Sequence, residues 1–139
     1  MRKVFFGGVV AFGLAFSAAY AALYTPFGGT VVSSPLSAYE LTTDSNYFVV
    51  DIREPVEWER TGVLEAANLH SWRGVEAFES AFGDELEAGQ KVVLIGASGE
   101  RSKDAAAQLS RFRGEDVIDV SGGVERLMMS GADLSAPDA

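Results

Sequence analysis

Cysteine is absent from this chain of 139 residues, and histidine occurs once, as His70. Without cysteine the chain forms no disulfide, has no thiolate nucleophile and cannot bind a metal through thiolates. A single histidine leaves too few ligands for a zinc centre made of protein side chains. These absences exclude thiol chemistry, and we expect neither a metal site nor a bound cofactor.

Basic residues are also scarce, because 11 Lys and Arg face 20 Asp and Glu and give a formal net charge of -9. Binding to a nucleic-acid backbone requires clustered Lys and Arg side chains, and the body of the chain has no such cluster. Nucleic acid is therefore excluded as a partner. An acidic surface favours basic partners instead.

Charge is missing altogether between Lys3 and Glu40. Within this interval the residues Val4–Tyr24 are apolar, and as a helix they would be about 30 Å long, which is enough to cross a bilayer. Arg2 and Lys3 favour a cytoplasmic N-terminus, so the remainder of the chain would lie beyond the membrane. We therefore expect residues 1–24 to form a single-pass anchor in a bacterial inner membrane, with the domain in the periplasm.

A secretory signal peptide is the alternative interpretation of the same residues. The basic start and apolar middle are followed by the small residues Ala19–Ala21, "AYA", which suit cleavage before Ala22. The domain would then be a soluble periplasmic protein. Both interpretations place the domain in one compartment, and we favour the anchor because of the length of the span.

Proline, glycine and serine are concentrated in Thr25–Pro35, "TPFGGTVVSSP". This composition predicts a linker, because such residues neither fill a core nor sustain a regular element. We expect the folded domain at residues 36–132 and a C-terminal tail at residues 133–139.

Three short apolar runs predict buried strands, at Tyr47–Ile52, Val92–Ile95 and Val117–Val120. Continuous apolar runs are typical of a parallel sheet covered on both faces. Helical patterns lie between and after these runs, at Pro55–Gly62, at Val75, Phe78 and Phe82, at Ala105, Ala106, Leu109 and Phe112, and at Val124–Met129. We also expect Trp72 to belong to the core. The alternation predicts an α/β fold, a three-layer sandwich with a small parallel sheet.

The turn after the second of these strands has the sequence Gly96-Ala97-Ser98-Gly99-Glu100-Arg101 and leads into a helix. Glycines allow successive backbone N–H groups to point inward, and the helix N-terminus adds positive potential, so such a turn can hold an anion. Taken alone, the same pattern also makes a tight connection that binds nothing.

Three segments resemble, in order, the signatures of the rhodanese-like domain family. Residues 49–69, "VVDIREPVEWERTGVLEAANL", are similar to hhDhRxxxEaxxGHIxGAxxh, where h is apolar and a is aromatic. Residues 92–102, "VVLIGASGERS", resemble the active-site strand and loop hhhhCxxGxRS, and residues 117–131, "VIDVSGGVERLMMSG", resemble VxxhxGGhxxWxxxG. The resemblance spans about Leu36 to Gly131 and implies a small parallel sheet enclosed by helices.

The resemblance also implies that the catalytic atom is missing. In this family the loop cysteine carries sulfur as a persulfide, and its position is occupied here by Gly96. The next residue, often basic in sulfurtransferases, is Ala97. Ser98 has no general base near it in sequence, and we expect His70 to make a structural hydrogen bond rather than to act as a base.

The supporting residues of the family signatures are kept. They are the acid and base at the end of the first strand, the acidic–aromatic pair of the following helix and the pair after the loop, namely Asp51, Arg53, Glu57, Trp58, Arg101 and Ser102. We expect them to form a buried network of ion pairs and caps that holds the fold rather than a ligand.

Together these observations predict a rhodanese-like protein that is not an enzyme and that serves as an accessory or interaction subunit of a membrane complex. Its expected partners are the membrane, through residues 4–24, and a protein. The alternative is a periplasmic binding module that captures a small oxyanion in the former active-site loop, Gly96–Ser102. A sulfurtransferase or phosphatase with a substitute nucleophile is the least favoured hypothesis.

Overall fold

The computed structural model describes residues 28–138. The expected membrane or signal segment, residues 1–24, lies outside the described residues. Within residues 28–138 no helix has both the length and the apolar composition that crossing a membrane requires.

Five parallel strands form one sheet in the order β1-β5-β4-β2-β3. The strands are β1 Val31–Ser34, β2 Tyr47–Asp51, β3 Asn68–Leu69, β4 Lys91–Ile95 and β5 Val117–Val120. The three expected strands match β2, β4 and β5 to within one residue at either end. Because all strands run in one direction, the segments that leave β2, β4 and β5 meet at a single edge of the sheet.

The described residues contain five helices, namely α1 Ala38–Thr43, α2 Pro55–Thr61, α3 Val75–Phe82, α4 Glu100–Arg113 and α5 Gly123–Met129. All but α2 contribute to the hydrophobic clusters on the two faces of this sheet. One face packs against Leu41 of α1 and Leu127 of α5. The other packs against Phe78 of α3 and Leu109 of α4. The three-layer α/β arrangement expected from the sequence is therefore present in residues 28–138.

Three expectations need correction. Residues 25–35 are not all linker, because Val31–Ser34 form the edge strand β1 and pair with β5. Phe112 does not join the buried stripe of α4, since its side chain on the last turn is 66% exposed. Within the expected tail, Ser135 exchanges two backbone hydrogen bonds with Val63, with N···O distances of 2.8 and 3.0 Å, so this part of the tail is attached to the domain.

Candidate functional site

The loop Gly96–Gly99 joins β4 to α4 at the carboxyl edge of the sheet. Gly96 and Gly99 are buried, whereas Ser98 is exposed. Gly99 has a φ of 99°, in the left-handed region that favours glycine, and a Cβ there would lie 3.0 Å from the amide nitrogen of Gly122. The loop is thus a tight turn whose second glycine is required by its conformation and by its neighbour.

Backbone carbonyl groups of this loop have hydrogen-bond partners in the described residues, whereas three of its backbone amide groups have none there. The carbonyl oxygens of Gly96 and Ala97 accept hydrogen bonds from the amides of Val124 and Glu125, at 2.9 and 3.0 Å. The amide N–H groups of Ala97, Ser98 and Gly99 have no acceptor within residues 28–138. Successive unpaired amides at the start of a helix form a favourable environment for an anion.

Helix α5 comes so close to the loop that only glycine fits at its first residue. A Cβ on Gly123 would lie 2.5 Å from the carbonyl oxygen of Gly96 and 2.6 Å from that of Ala97. Gly123 also has a φ of 57°, which side chains disfavour. The Gly122-Gly123 pair of the third motif therefore fixes the loop through its carbonyl side.

A side chain at position 96 would come into tight contact with the buried Ser102. A Cβ there would lie 3.2 Å from Ser102 Oγ and 3.3 Å from the Ser102 amide nitrogen, so Ser102 would have to move by a few tenths of an ångström. Gly96 is not among the residues with positive φ, so its backbone conformation is open to any residue type. The backbone conformation therefore does not explain why glycine stands here.

A buried ion pair supports the strand next to the loop. Asp51 and Arg53 are 1% and 2% exposed, and Arg53 Nη2 lies 2.7 Å from Asp51 Oδ2. The guanidinium also donates to Thr61 Oγ1 at 2.7 Å and to the carbonyl of Gly62 at 3.0 Å. Trp58 Nε1 donates to Asp51 Oδ1 at 3.2 Å. This arrangement satisfies both charges and ties the end of β2 to the middle and the C-terminal end of α2.

A second ion pair joins α2 to the start of α4. Arg101 donates two hydrogen bonds to the carboxylate of Glu57, the Nη1–Oε2 bond being 3.0 Å long. These bonds hold the pKa of Glu57 below its ordinary value and raise the pKa of Arg101, although partial burial opposes both shifts. The guanidinium of Arg101 is therefore engaged by a carboxylate rather than free to meet an anion in the loop.

The family model of the rhodanese-like domain matches residues 34–129. The chain belongs to the rhodanese-like domain family. Among solved structures, a rhodanese-related protein from Thermoplasma volcanium is 26% identical, with a TM-score of 0.57 over 76% of this chain and 100% of that chain.

Two further solved structures share the fold at lower identity. A rhodanese-like domain protein from Staphylococcus aureus is 17% identical, with a TM-score of 0.56 over 78% of this chain and 99% of that one. A Rhodopseudomonas palustris protein, described as of unknown function and a possible tyrosine phosphatase, is 20% identical, with a TM-score of 0.56 over 97% and 99% of the two chains. A search of curated proteins finds no match.

In this rhodanese-like domain Ser98 and His70, the candidate nucleophile and base, form no hydrogen bond with each other within residues 28–138. Ser98 Oγ forms no hydrogen bond with any described residue, so it has no general base. The ring of His70 packs edge-on against Phe82 with centroids 5.2 Å apart, and its Nε2 is buried without a partner in residues 28–138. The structural hydrogen bond expected of the His70 side chain is not present among the described residues.

Sequence reasoning missed one buried acid of this rhodanese-like domain. Asp119 on β5 is 2% exposed and accepts hydrogen bonds from Ser102 Oγ and, at 3.0 Å, from Ser33 Oγ. Ser102 Oγ also lies 3.1 Å from the carbonyl oxygen of Gly99, so the single hydroxyl proton has two acceptors within reach and Ser102 contacts the end of the loop. The signal was an acidic residue inside the apolar run "VIDV". No three His, Asp or Glu side chains of the described residues group as a metal site.

A pocket of about 130 Å³ opens beside the loop, with Ala97, Val124 and Met128 among its lining residues. Glu57 forms part of its wall, and Arg60 lines it as well. Ala97 is the loop residue that lines this pocket. The pocket's mixture of apolar and charged lining suits contact with a protein side chain as well as a small ligand.

Proposed function

We propose that this rhodanese-like protein has no sulfurtransferase activity and serves as a noncatalytic accessory or interaction subunit of a membrane complex. Residues 4–24 anchor it in the inner membrane, and the domain lies in the periplasm. The single observation that carries the proposal is glycine at position 96 in a chain without any cysteine. Sulfur transfer through a persulfide requires a thiolate, and this chain cannot supply one.

The contacts around the loop support a retained binding role. The Asp51–Arg53 pair is buried and fully hydrogen-bonded, and the loop is still fastened to α5 through the carbonyls of Gly96 and Ala97. A domain that keeps these supporting contacts but has no nucleophile retains a surface that can bind a partner, without sulfur transfer. The exposed Met128 and Met129 beside the loop pocket add adaptable apolar area for a protein partner.

Restoring the thiol tests the noncatalytic part of the proposal. Full-length Gly96→Cys is expected to attack the outer sulfur of thiosulfate, release sulfite and keep the sulfur as a persulfide, which intact mass measurement detects. The matched control is Ser98→Cys, which places the same thiol at an exposed position of the same loop. Wild type should show no thiosulfate:cyanide turnover, and turnover that disappears on Ser98→Ala would overturn the proposal.

Native mass spectrometry of the protein extracted from its own membranes in mild detergent tests the accessory role. We expect a full-length chain bound to other subunits. A full-length chain that travels alone would contradict the role in a complex. A free chain that begins near Ala22 would instead identify a soluble periplasmic protein released by signal cleavage.

A second candidate function is the capture of a small oxyanion by the loop. It is favoured by the amides of Ala97, Ser98 and Gly99, which have no acceptor in the described residues. It is opposed by the engagement of Arg101 with Glu57 and by the net charge of -9. Calorimetry with sulfate, thiosulfate and phosphate at millimolar concentration decides the question, since the absence of heat would exclude this function.

A further inference from the structure

A second groove, of about 250 Å³, lies next to Arg101 but includes none of the loop residues 96–99. Its floor is apolar, because Ile52 and Ala105 line it and are almost fully buried. One wall is the half-buried indole of Trp72, which is not the full core residue expected from the sequence. The groove is therefore distinct from the pocket beside the loop.

The charges around this groove leave one negative charge uncompensated. Glu54 receives two hydrogen bonds from Arg73, at 2.7 and 2.8 Å, and Arg101 is paired with Glu57. Asp104, on the first turns of α4, has no ion pair or hydrogen bond with any of residues 28–138. The groove thus offers a free carboxylate to a ligand that carries a positive charge.

The Trp72 wall of the groove also favours a ligand that carries a positive charge. The ring of Trp72 packs on Phe78 with centroids 6.1 Å apart, and its indole N–H has no acceptor in the described part of the chain. A cation beside the face of an indole is attracted by the ring quadrupole. Lysine and arginine combine such a cation with an apolar stem, which the floor of Ile52 and Ala105 matches.

The volume of the groove suits a single side chain better than a larger ligand. Pockets for cofactors and drug-sized ligands have volumes of about 300–1,000 Å³, whereas this groove has about 250 Å³. We propose that it receives one lysine or arginine side chain of a partner protein, with the cation between the Trp72 ring and the Asp104 carboxylate. This inference rests on the accessory role proposed above, and the chain's net charge of -9 favours a basic partner.

Nuclear magnetic resonance of the full-length, ¹⁵N-labelled chain in nonionic detergent tests the groove without knowledge of the partner. The probe is Nα-acetyl-lysine methylamide, and the neutral control is Nα-acetyl-norleucine methylamide. The indole signal of Trp72, assigned through its loss in Trp72→Phe, should shift saturably with the lysine probe alone. Equal shifts with the norleucine compound, or none with lysine, would overturn the inference.

A matched pair of charge variants sharpens the test. Asp104→Asn should weaken binding of the lysine probe about two- to fivefold, whereas Asp133→Asn, an exposed carboxylate away from the groove, should leave it unchanged. If both variants weaken binding of the lysine probe equally, the probe responds to the net charge of the protein, and this result would contradict a specific site in the groove. Failure of the accessory role is seen separately, as a wild-type chain that travels alone in native mass spectrometry while the lysine probe still binds.

Discussion

The network around Arg53 and the loop at residues 96–99 lie next to each other and satisfy their polar groups in opposite ways. The guanidinium of Arg53 has partners in Asp51, Thr61 and Gly62. Three successive amides of the loop have no acceptor in the described residues. The polar groups of the network are hydrogen-bonded to other groups of the same chain. These amides of the loop can form hydrogen bonds only with groups outside the described residues.

This difference explains how the loop can be held without a side chain at position 96. The loop is held through its carbonyls, which accept from Val124 and Glu125, and it contacts Ser102, whose Oγ lies 3.1 Å from the carbonyl oxygen of Gly99. None of these contacts involves a side chain at position 96. Glycine at the position of the family's cysteine therefore leaves these supporting contacts in place.

The largest effect is expected from breaking the network at Arg53. Arg53→Met leaves the carboxylate of Asp51, which is 1% exposed, without its cation. Such an uncompensated buried charge should lower the free energy of unfolding by about 3–5 kcal/mol. Urea unfolding of the full chain in detergent, followed by circular dichroism, measures the loss.

The control for this change is Arg60→Met, which removes an exposed arginine from the neighbouring helix α2. Arg60 has no ion pair within residues 28–138, so the change should stay within about 0.5 kcal/mol. Two variants of equal stability would show that the buried pair is not what holds the end of β2.

An intermediate effect is expected where α5 meets the loop. Gly123→Ala would place a methyl group 2.5 Å from the carbonyl oxygen of Gly96, and the resulting overpacking should cost about 1–3 kcal/mol. The control is Gly131→Ala, where φ is also positive, at 83°, but nothing lies within 4 Å. Thermal unfolding of both variants separates the contact from the backbone strain, and equal losses would refute the close fit.

Periodicity and motif spacing predicted the central strands and the position of the loop, but not the edges of the sheet. β1 was missed because four residues between glycine and proline resemble a linker, and β3 has only two residues. Spacing could not pair Glu57 with Arg101, because 44 positions separate them and the fold alone brings them together. The exposure of Phe112 likewise depends on which neighbours reach the last turn of α4, and helical spacing carries no information about them.

The smallest effect concerns the ion pair that joins the two regions. Hydrogen bonds from Arg101 hold the pKa of Glu57 below its ordinary value of 4.5. Above pH 4.5 the carboxylate is ionised in the folded and unfolded chain alike, so the pair contributes fully, and this contribution is lost as the pH falls through the folded-state pKa. Glu57→Gln should lower the free energy of unfolding at neutral pH by at most about 1 kcal/mol, because Arg101 is half exposed.

The pH dependence distinguishes this electrostatic role from a packing role of Glu57. Glutamine keeps one oxygen that can accept from the amide of Glu54, as Glu57 Oε2 does at 2.8 Å, but it loses the charge and one of the two oxygens that accept from Arg101. In urea unfolding at a series of pH values, the difference between wild type and Glu57→Gln should shrink below pH 4.5. Glu59→Gln, an exposed position on the same helix without an ion pair in the described residues, should show no such convergence. A difference for Glu57→Gln that stays constant with pH would mean that the pair positions α2 by shape rather than by charge.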